Sequence, residues 1–459
     1  MTWTDVAVIG MQIRVAGARN AWQYLRLIEE GKVCLSAFSQ PPGWIGAKGL
    51  IDRADSFDNE FFGITDREAQ TMDRQHRLLL EASWQALETA GYQPGSIHAK
   101  VGVLACCSSS PIPKEEGLDP VAEYHQLCAK DRDFLATRIA HKLDLRGPAF
   151  TVQCGCSSSA LAIHQACRLL QVGDCQMALV AGVSAVSPMR QGYKVIEGMI
   201  YSQTGHCRPY SGEADGTLDG TGLGVVVLKP LADAHRDGDA VIAVIKGSAM
   251  NNDGASKVHF TAPSVDQQIE VMREALQVSG CAPETVELIE GHGTGTLLGD
   301  ALELTALQEV YGKGGGSCHL GSVKANIGHL DAASGIVGFA KAALCVKYGL
   351  VPPQPNAYPI HPMLNTRLKP SEKKARWSNS QRRAAVGSLG IGGTNVHLIL
   401  ENDQAVPVGM ATGTEYPFVI SAMDKESLDE LADQILAAAK ELSAGDLSAL
   451  SATLIARNR

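Results

Sequence analysis

Phe150-Thr151-Val152-Gln153-Cys154-Gly155-Cys156-Ser157-Ser158-Ser159-Ala160-Leu161-Ala162-Ile163-His164 reads as a strand that passes through a turn of small residues into a helix. Such a turn places Cys156 at a helix N-terminus. There the unpaired amides and the macrodipole favour thiolate, and the amide of Cys156 itself can face a carbonyl oxygen. Taken alone, the segment fits one more buried structural cysteine equally well.

Working outward, Glu290-Gly291-His292-Gly293-Thr294-Gly295-Thr296 follows an apolar strand and leads through Leu297-Leu298-Gly299-Asp300 into a helix. A glycine-rich turn of this kind holds a side chain at a strand end, facing a cleft, although a lone histidine in a turn is usually structural. Further on come Gly321-Ser322-Val323-Lys324-Ala325-Asn326-Ile327-Gly328-His329 and Gly390-Ile391-Gly392-Gly393-Thr394-Asn395-Val396-His397.

Around these turns, short apolar runs alternate with helical patterns, which predicts an α/β protein. The expected strands of the first half are Val6 to Ile9, Val101 to Ala105, Phe150 to Val152, Met177 to Val180 and Val225 to Leu228. Those of the second are Val241 to Ile245, Leu288 to Ile289, His319 to Val323 and Val396 to Leu400. Two similar halves follow, 1–235 with Cys156 and 236–401 with His292 and His329. Beyond Glu401 the composition turns to Val406-Pro407-Val408-Gly409, a linker signal. A short strand, Phe418 to Ser421, and a helix with Leu428, Leu431 and Ile435 on one face are expected to follow it. Residues 402–459 thus read as an interdomain adaptor that ends within a longer polypeptide.

The 459 residues are 45% hydrophobic, enough for a large core, and the formal net charge of −9 disfavours nucleic acid as a partner. No apolar stretch approaches a membrane span, and the run Val6 to Ile9 is too short for a secretory segment, so a cytoplasmic protein is expected. The 12 cysteines are irregularly spaced in apolar surroundings, which suits reduced core thiols; there is no CxxC pair and no zinc spacing, so no metal is expected. Gly220-Thr221-Gly222-Leu223-Gly224 precedes its strand, whereas a dinucleotide-binding loop follows one. Arg367, Lys369, Lys373, Lys374, Arg376, Arg382 and Arg383 form a basic run opposed by Glu372 alone. It reads either as a solvated face or as a landing site for an acidic partner.

The ordered set of turns resembles the ketosynthase (β-ketoacyl synthase) domain of modular type I polyketide synthases, from about residue 5 to 401. Cys156 sits where the family pattern Thr-Ala-Cys-Ser-Ser-Ser has its nucleophile, with Cys154 and Gly155 in place of the usual small residues. His292 matches the His-Gly-Thr-Gly-Thr loop, and His329 with Lys324 a complete Lys-Ala-Asn-Ile-Gly-His motif. The block from Gly390 to Asn395 is similar to Gly-Phe-Gly-Gly-Thr-Asn, with Ile391 and Leu389 where most relatives carry phenylalanine. Asn251-Asn252-Asp253-Gly254 resembles modular enzymes in particular, and Asp131 to Arg138 with Val152-Gln153 resembles hybrid peptide-polyketide or trans-acyltransferase lines.

This resemblance implies a thiolase-like fold of two related halves in αβαβα layers. It implies an acyltransferase that performs decarboxylative Claisen condensation, with Cys156, His292 and His329 catalytic and the amides of Cys156 and Ile391 forming an oxyanion hole. Lys324 and Glu303 would support the site electrostatically, and Thr294, Thr296 and Asn395 would hold phosphopantetheine. No cofactor of its own is implied, since the carrier protein supplies the phosphopantetheine. Implied partners are an acyl carrier protein, neighbouring domains such as an acyltransferase, and a second copy in a homodimer. Competing readings are a ketosynthase limited to transacylation, decarboxylation or cyclisation, a degradative thiolase, and a non-catalytic carrier-binding gatekeeper.

Overall fold

The computed structural model describes residues 3–111, 119–364, 367–377, 379–404, 416–422, 424–440, 442 and 444–457. Its centre is one mixed sheet of 11 strands. From one edge, the first-half strands run Ala149–Thr151, Val101–Cys107, Met177–Ser184, Gly222–Pro230 and Val6–Val15. From the other, beyond a short edge strand Leu368–Lys369, come Cys318–Gly321, Leu288–Glu290, Arg383–Leu389, Thr394–Glu401 and Ala243–Asn252. Numbered along the chain within each half, both series have the order 3-2-4-5-1. The parallel and antiparallel pairings match strand for strand. The two related halves expected from sequence are therefore present as a repeat of topology, joined where Val6 to Val8 pair with Ala243 to Ile245.

Side-chain alternation explains the layers. Val226 and Leu228 face one core while Val225 and Val227 face another, and Leu398 and Leu400 are likewise separated from Ile399. Strands covered on both faces need apolar residues at every position, hence their continuous hydrophobic runs. Helices Ser158–Val172 and Ser334–Tyr348 lie in the middle, against strands of both halves and against each other. Arg74–Thr89 and Leu135–Leu143 cover the outer face of the first half, and Val265–Ser279 with Leu297–Tyr311 that of the second, giving αβαβα layers.

Gly335 sets the contact of the two central helices. A Cβ there would lie 2.6 Å from the Ala160 nitrogen, and the Ile336 amide donates to Ser159 Oγ at 2.9 Å. The start of the helix that follows Cys156 is thereby fastened to the helix that follows His329.

Several expectations are corrected. Arg383–Leu389 is a central strand despite its Ala384-Ala385 and Gly387-Ser388, because it pairs on both edges with Leu288–Glu290 and Thr394–Glu401. The strand expected from His319 to Val323 ends at Gly321, since Gln354 takes the Ser322 amide at 2.9 Å and Glu290 the Val323 amide at 2.6 Å. Gly222 and Gly224 lie inside a strand, and a Cβ on Gly222 would meet Leu330 Cδ2 at 2.5 Å. Phe418 to Ser421 joins no sheet, and Val406 to Gly409 lies outside the described residues. The helix Lys425–Ala439 is confirmed, with its apolar face only half-buried.

The basic run is not one surface. Arg367 is buried and donates to carbonyls that include Tyr311 at 2.7 Å and Glu284 at 3.1 Å. Arg382 donates to the Val346 carbonyl at 2.6 Å, and Arg383 pairs with Glu401 at 2.7 Å. Lys374 and Arg376 face Glu29 at 3.2 and 3.9 Å. Arg383→Glu would set two carboxylates together in a half-buried position and is expected to cost about 2–4 kcal/mol. A fall in Tm measured by calorimetry is the expected signature.

Candidate active site

The turn that carries Cys156 is held from within. Gly155 takes φ +69°, and Ser158 Oγ accepts the Cys154 amide at 2.9 Å while donating to the Gly155 carbonyl at 2.6 Å. Only glycine adopts that backbone freely. The Gly390 turn is pressed against it: a Cβ on Gly390 would meet the Cys154 oxygen and Ser157 Oγ, each at 2.6 Å. This contact sets the Ile391 amide beside the Cys156 sulfur, where the amide of Cys156 itself also lies.

Cys156 is buried, and burial followed by the charge of Asp331 pushes its thiol up to about 12; Lys324 and the two amides pull the other way without prevailing. Against the expectation that the helix terminus favours thiolate stand burial and the charge of Asp331, which both favour the thiol in the free site. Asp331 Oδ1 accepts from Cys156 Sγ at 3.8 Å.

The two histidines face one another with ring centroids 5.7 Å apart and planes at 85°. The Leu389 amide donates to His292 Nδ1 at 3.3 Å, and the Asp331 amide donates to His329 Nδ1 at 3.0 Å. Ser334 Oγ lies 2.8 Å from the same His329 nitrogen. A backbone N–H can only donate, so each Nδ1 is an acceptor and each neutral ring carries its proton on Nε2. Both rings are held neutral. Burial, then Lys324, lowers His329 to about 3, and burial, Lys324 and His329 lower His292 far below the ordinary histidine range.

Their loops are anchored by buried charge. Glu303 accepts the amides of His292 at 2.6 Å and Gly293 at 2.8 Å, and the Tyr210 hydroxyl at 3.1 Å. Lys324 donates to the His292 carbonyl, and burial lowers its pKa against the opposing pull of Glu290 and Glu303. The His329 amide donates to the Leu218 carbonyl at 2.6 Å and its own carbonyl accepts the Gly220 amide at 2.8 Å.

Family models match in series: "Beta-ketoacyl synthase, N-terminal domain" over residues 4–234, "Beta-ketoacyl synthase, C-terminal domain" over 242–358 and "Ketoacyl-synthetase C-terminal extension" over 355–457. This chain belongs to the β-ketoacyl synthase family. Its similar curated proteins include a phenolphthiocerol/phthiocerol polyketide synthase of Mycobacterium tuberculosis, 39% identical over 99% of this chain and 33% of that protein. Polyketide synthase PksN of Bacillus subtilis is 36% identical over 94% of this chain and 8% of its own length. The chain therefore spans a third or less of these two relatives. Among solved structures, ketosynthase twelve of the bacillaene polyketide synthase of Bacillus amyloliquefaciens superposes with a TM-score of 0.90 at 32% identity, covering 98% of this chain and 84% of that one. The module 1 ketosynthase of the bacillaene synthase from the same species gives 0.88 at 35% identity, covering 98% and 84%. The fold is the thiolase-like fold of those ketosynthases.

Within this β-ketoacyl synthase site, Thr294 and Thr296 pair their hydroxyls at 3.0 Å. Asn395 is buried, with its amide on Asp253 at 2.7 Å and Asn251 at 3.1 Å, so its hydrogen atoms are engaged inside the protein. Ile391 has a half-exposed side chain. Asp331, Ser334, Tyr210 and Asp300 are the contributors that sequence reasoning missed. Asp300 accepts the amides of Tyr210 at 2.8 Å and Gly295 at 3.1 Å, and burial raises it to about 7. The available signal was position: Asp331 and Ser334 lie two and five residues after His329, and Asp300 closes the loop of His292. Among the described residues, no helix is long and apolar enough to cross a membrane.

Proposed function

We propose that this domain joins two thioester-bound acyl units by decarboxylative Claisen condensation. Cys156 accepts an acyl chain from the phosphopantetheine arm of a carrier protein, a covalent nucleophile that divides the reaction into two steps. A malonyl-type thioester then places its carbonyl oxygen between the Nε2–H groups of His292 and His329. Loss of carbon dioxide generates the enolate directly, so no strong base is required. The enolate carbon attacks the acyl carbonyl on Cys156, the developing oxyanion meets the amides of Cys156 and Ile391, and the sulfur departs. The product is a β-ketoacyl thioester on the carrier.

The observation that carries this reading is the pair of fixed, neutral imidazoles whose Nδ1 atoms both accept backbone amides. Two N–H donors at one place suit an enolate, and two amides at the sulfur suit a tetrahedral oxyanion; each preorganised donor is worth about 3–4 kcal/mol. A carrier-binding gatekeeper needs neither set. The partners of the reaction are an acyl carrier protein and the neighbouring domains of a larger synthase, and the domain works as a homodimer. The reading is tested by measuring carbon dioxide and β-ketoacyl product together from acyl- and malonyl-pantetheine: equal amounts support it, and carbon dioxide without product refutes it.

The aliphatic Ile391 sets the width of the acyl site. Ile391→Phe is expected to slow loading of large or branched thioesters several-fold more than of acetyl thioesters, read as rates of Cys156 acylation by mass spectrometry. Equal slowing for both would mean that the turn itself has moved.

A further inference from the structure

Loading Cys156 requires that its thiol proton go somewhere, and the histidines do not receive it. A neutral imidazole has one lone-pair nitrogen. In His292 that nitrogen already accepts the Leu389 amide at 3.3 Å, and in His329 the Asp331 amide at 3.0 Å. Lys324 is a donor, engaged with the His292 carbonyl. The acceptor that the structure places on the thiol is the carboxylate of Asp331, with Oδ1 at 3.8 Å from Sγ. That distance is long for a bond to sulfur, but catalytic hydrogen bonds commonly tighten only when substrate is bound.

Asp331 is also held where it must be to act. It follows His329 closely, adopts φ +42°, and spends its own amide on the His329 ring while its side chain turns to the cysteine. Aspartate and asparagine tolerate such left-handed backbone better than other residues that carry a Cβ. One residue thus fixes the tautomer of the enolate-binding histidine through its main chain and touches the nucleophile through its side chain.

We propose that Asp331 is the general base of the loading step and a catalytic residue of this domain. As Sγ forms its bond to the acyl carbon, the Cys156 proton passes to Asp331 Oδ1. When the tetrahedral intermediate collapses, the bond from carbon to the pantetheine sulfur breaks and the same proton moves to that departing sulfur. The carboxylate is regenerated and no external reagent is consumed. The inference rests on the reading of Cys156 as the acyl acceptor.

The test is Asp331→Asn, which keeps the left-handed backbone and the amide on His329 and removes only the charge and the basic oxygen. Two rates are read on Cys156 at pH 8: acylation by butyryl-pantetheine and alkylation by iodoacetamide. Acylation is expected to fall about 100-fold or more, the usual contribution of a positioned base. Alkylation is expected to rise, because losing the neighbouring negative charge favours thiolate and alkylation releases no thiolate that needs a proton. Acylation within about threefold of wild type overturns the proposal. Two rates that fall together indicate a structural role and overturn it, as do two that rise together, which indicate a purely electrostatic one. Failure of the wild type to acylate would sink the assignment of Cys156 itself, an outcome distinct from normal wild-type loading with an unimpaired Asp331→Asn.

Discussion

His329→Ala is expected to keep measurable acylation of Cys156 while losing malonyl decarboxylation and condensation by about 100- to 1,000-fold, the effect of removing one preorganised donor from an oxyanion. The reason lies in the division of donors. The His329 ring offers Nε2–H because its Nδ1 is occupied by the Asp331 amide and Ser334 Oγ, whereas the amides of Cys156 and Ile391 serve the sulfur. Under the proposed mechanism, stabilisation of the acyl-transfer oxyanion is expected to survive the substitution and that of the enolate to be lost. His292→Ala is expected to behave alike, since the Lys324 contact is to the backbone carbonyl of residue 292 and survives the substitution. Cys156→Ala should show the complementary pattern, no covalent loading but continued release of carbon dioxide from malonyl-pantetheine. Radiolabelled carbon dioxide release and intact-protein mass measured on the three variants separate these outcomes. Wild-type condensation by His329→Ala would contradict the assignment.

The second large effect concerns a residue without a side chain. In Gly390→Ala the new methyl would lie 2.6 Å from both the Cys154 oxygen and Ser157 Oγ, closer than such atoms approach. The turn from Gly390 to Gly393 must then move off the nucleophile turn and carry the Ile391 amide with it. Loss of that donor is expected to reduce acylation by acetyl-pantetheine about 100- to 1,000-fold. Ile391→Ala is the control, since it keeps the amide and the turn and should load acetyl groups at nearly the wild-type rate. Comparable losses in both variants would show that the side chain, not the amide, was required.

How much of this was legible in the sequence depended on whether a residue's role is local. The strands buried on both faces announced themselves, because Val101 to Ala105 and Met177 to Val180 are apolar throughout. Arg383–Leu389 did not, since its pairing comes from strands about 95 residues before and directly after it, and its small residues make no apolar run. The turns that carry Cys156, His292 and His329 could be read from glycine spacing and resemblance. The balance of forces on Cys156 could not, because helix-terminal position is a local property whereas burial and the charge of Asp331 are products of packing. The basic run misled for a related reason. Seven cations in sequence order say nothing of where they point, and the fold turns Arg367 inward and lays Arg383 against Glu401. Asp331 was in plain view beside a quoted motif, but its contact with sulfur depends on the crossing of two helices at Gly335 and Ala160.

The central claim, that acyl-Cys156 is extended by an enolate held between two histidines, is tested most directly by following intact-protein mass through one turnover. Wild-type protein treated with butyryl-pantetheine should gain one butyryl mass on Cys156. Addition of malonyl-pantetheine should discharge that adduct and yield a β-ketoacyl thioester two carbons longer, with one carbon dioxide released for each adduct lost. An adduct that forms and then persists, or that is discharged only by hydrolysis or return to pantetheine, would contradict the account and leave a transacylating enzyme in its place.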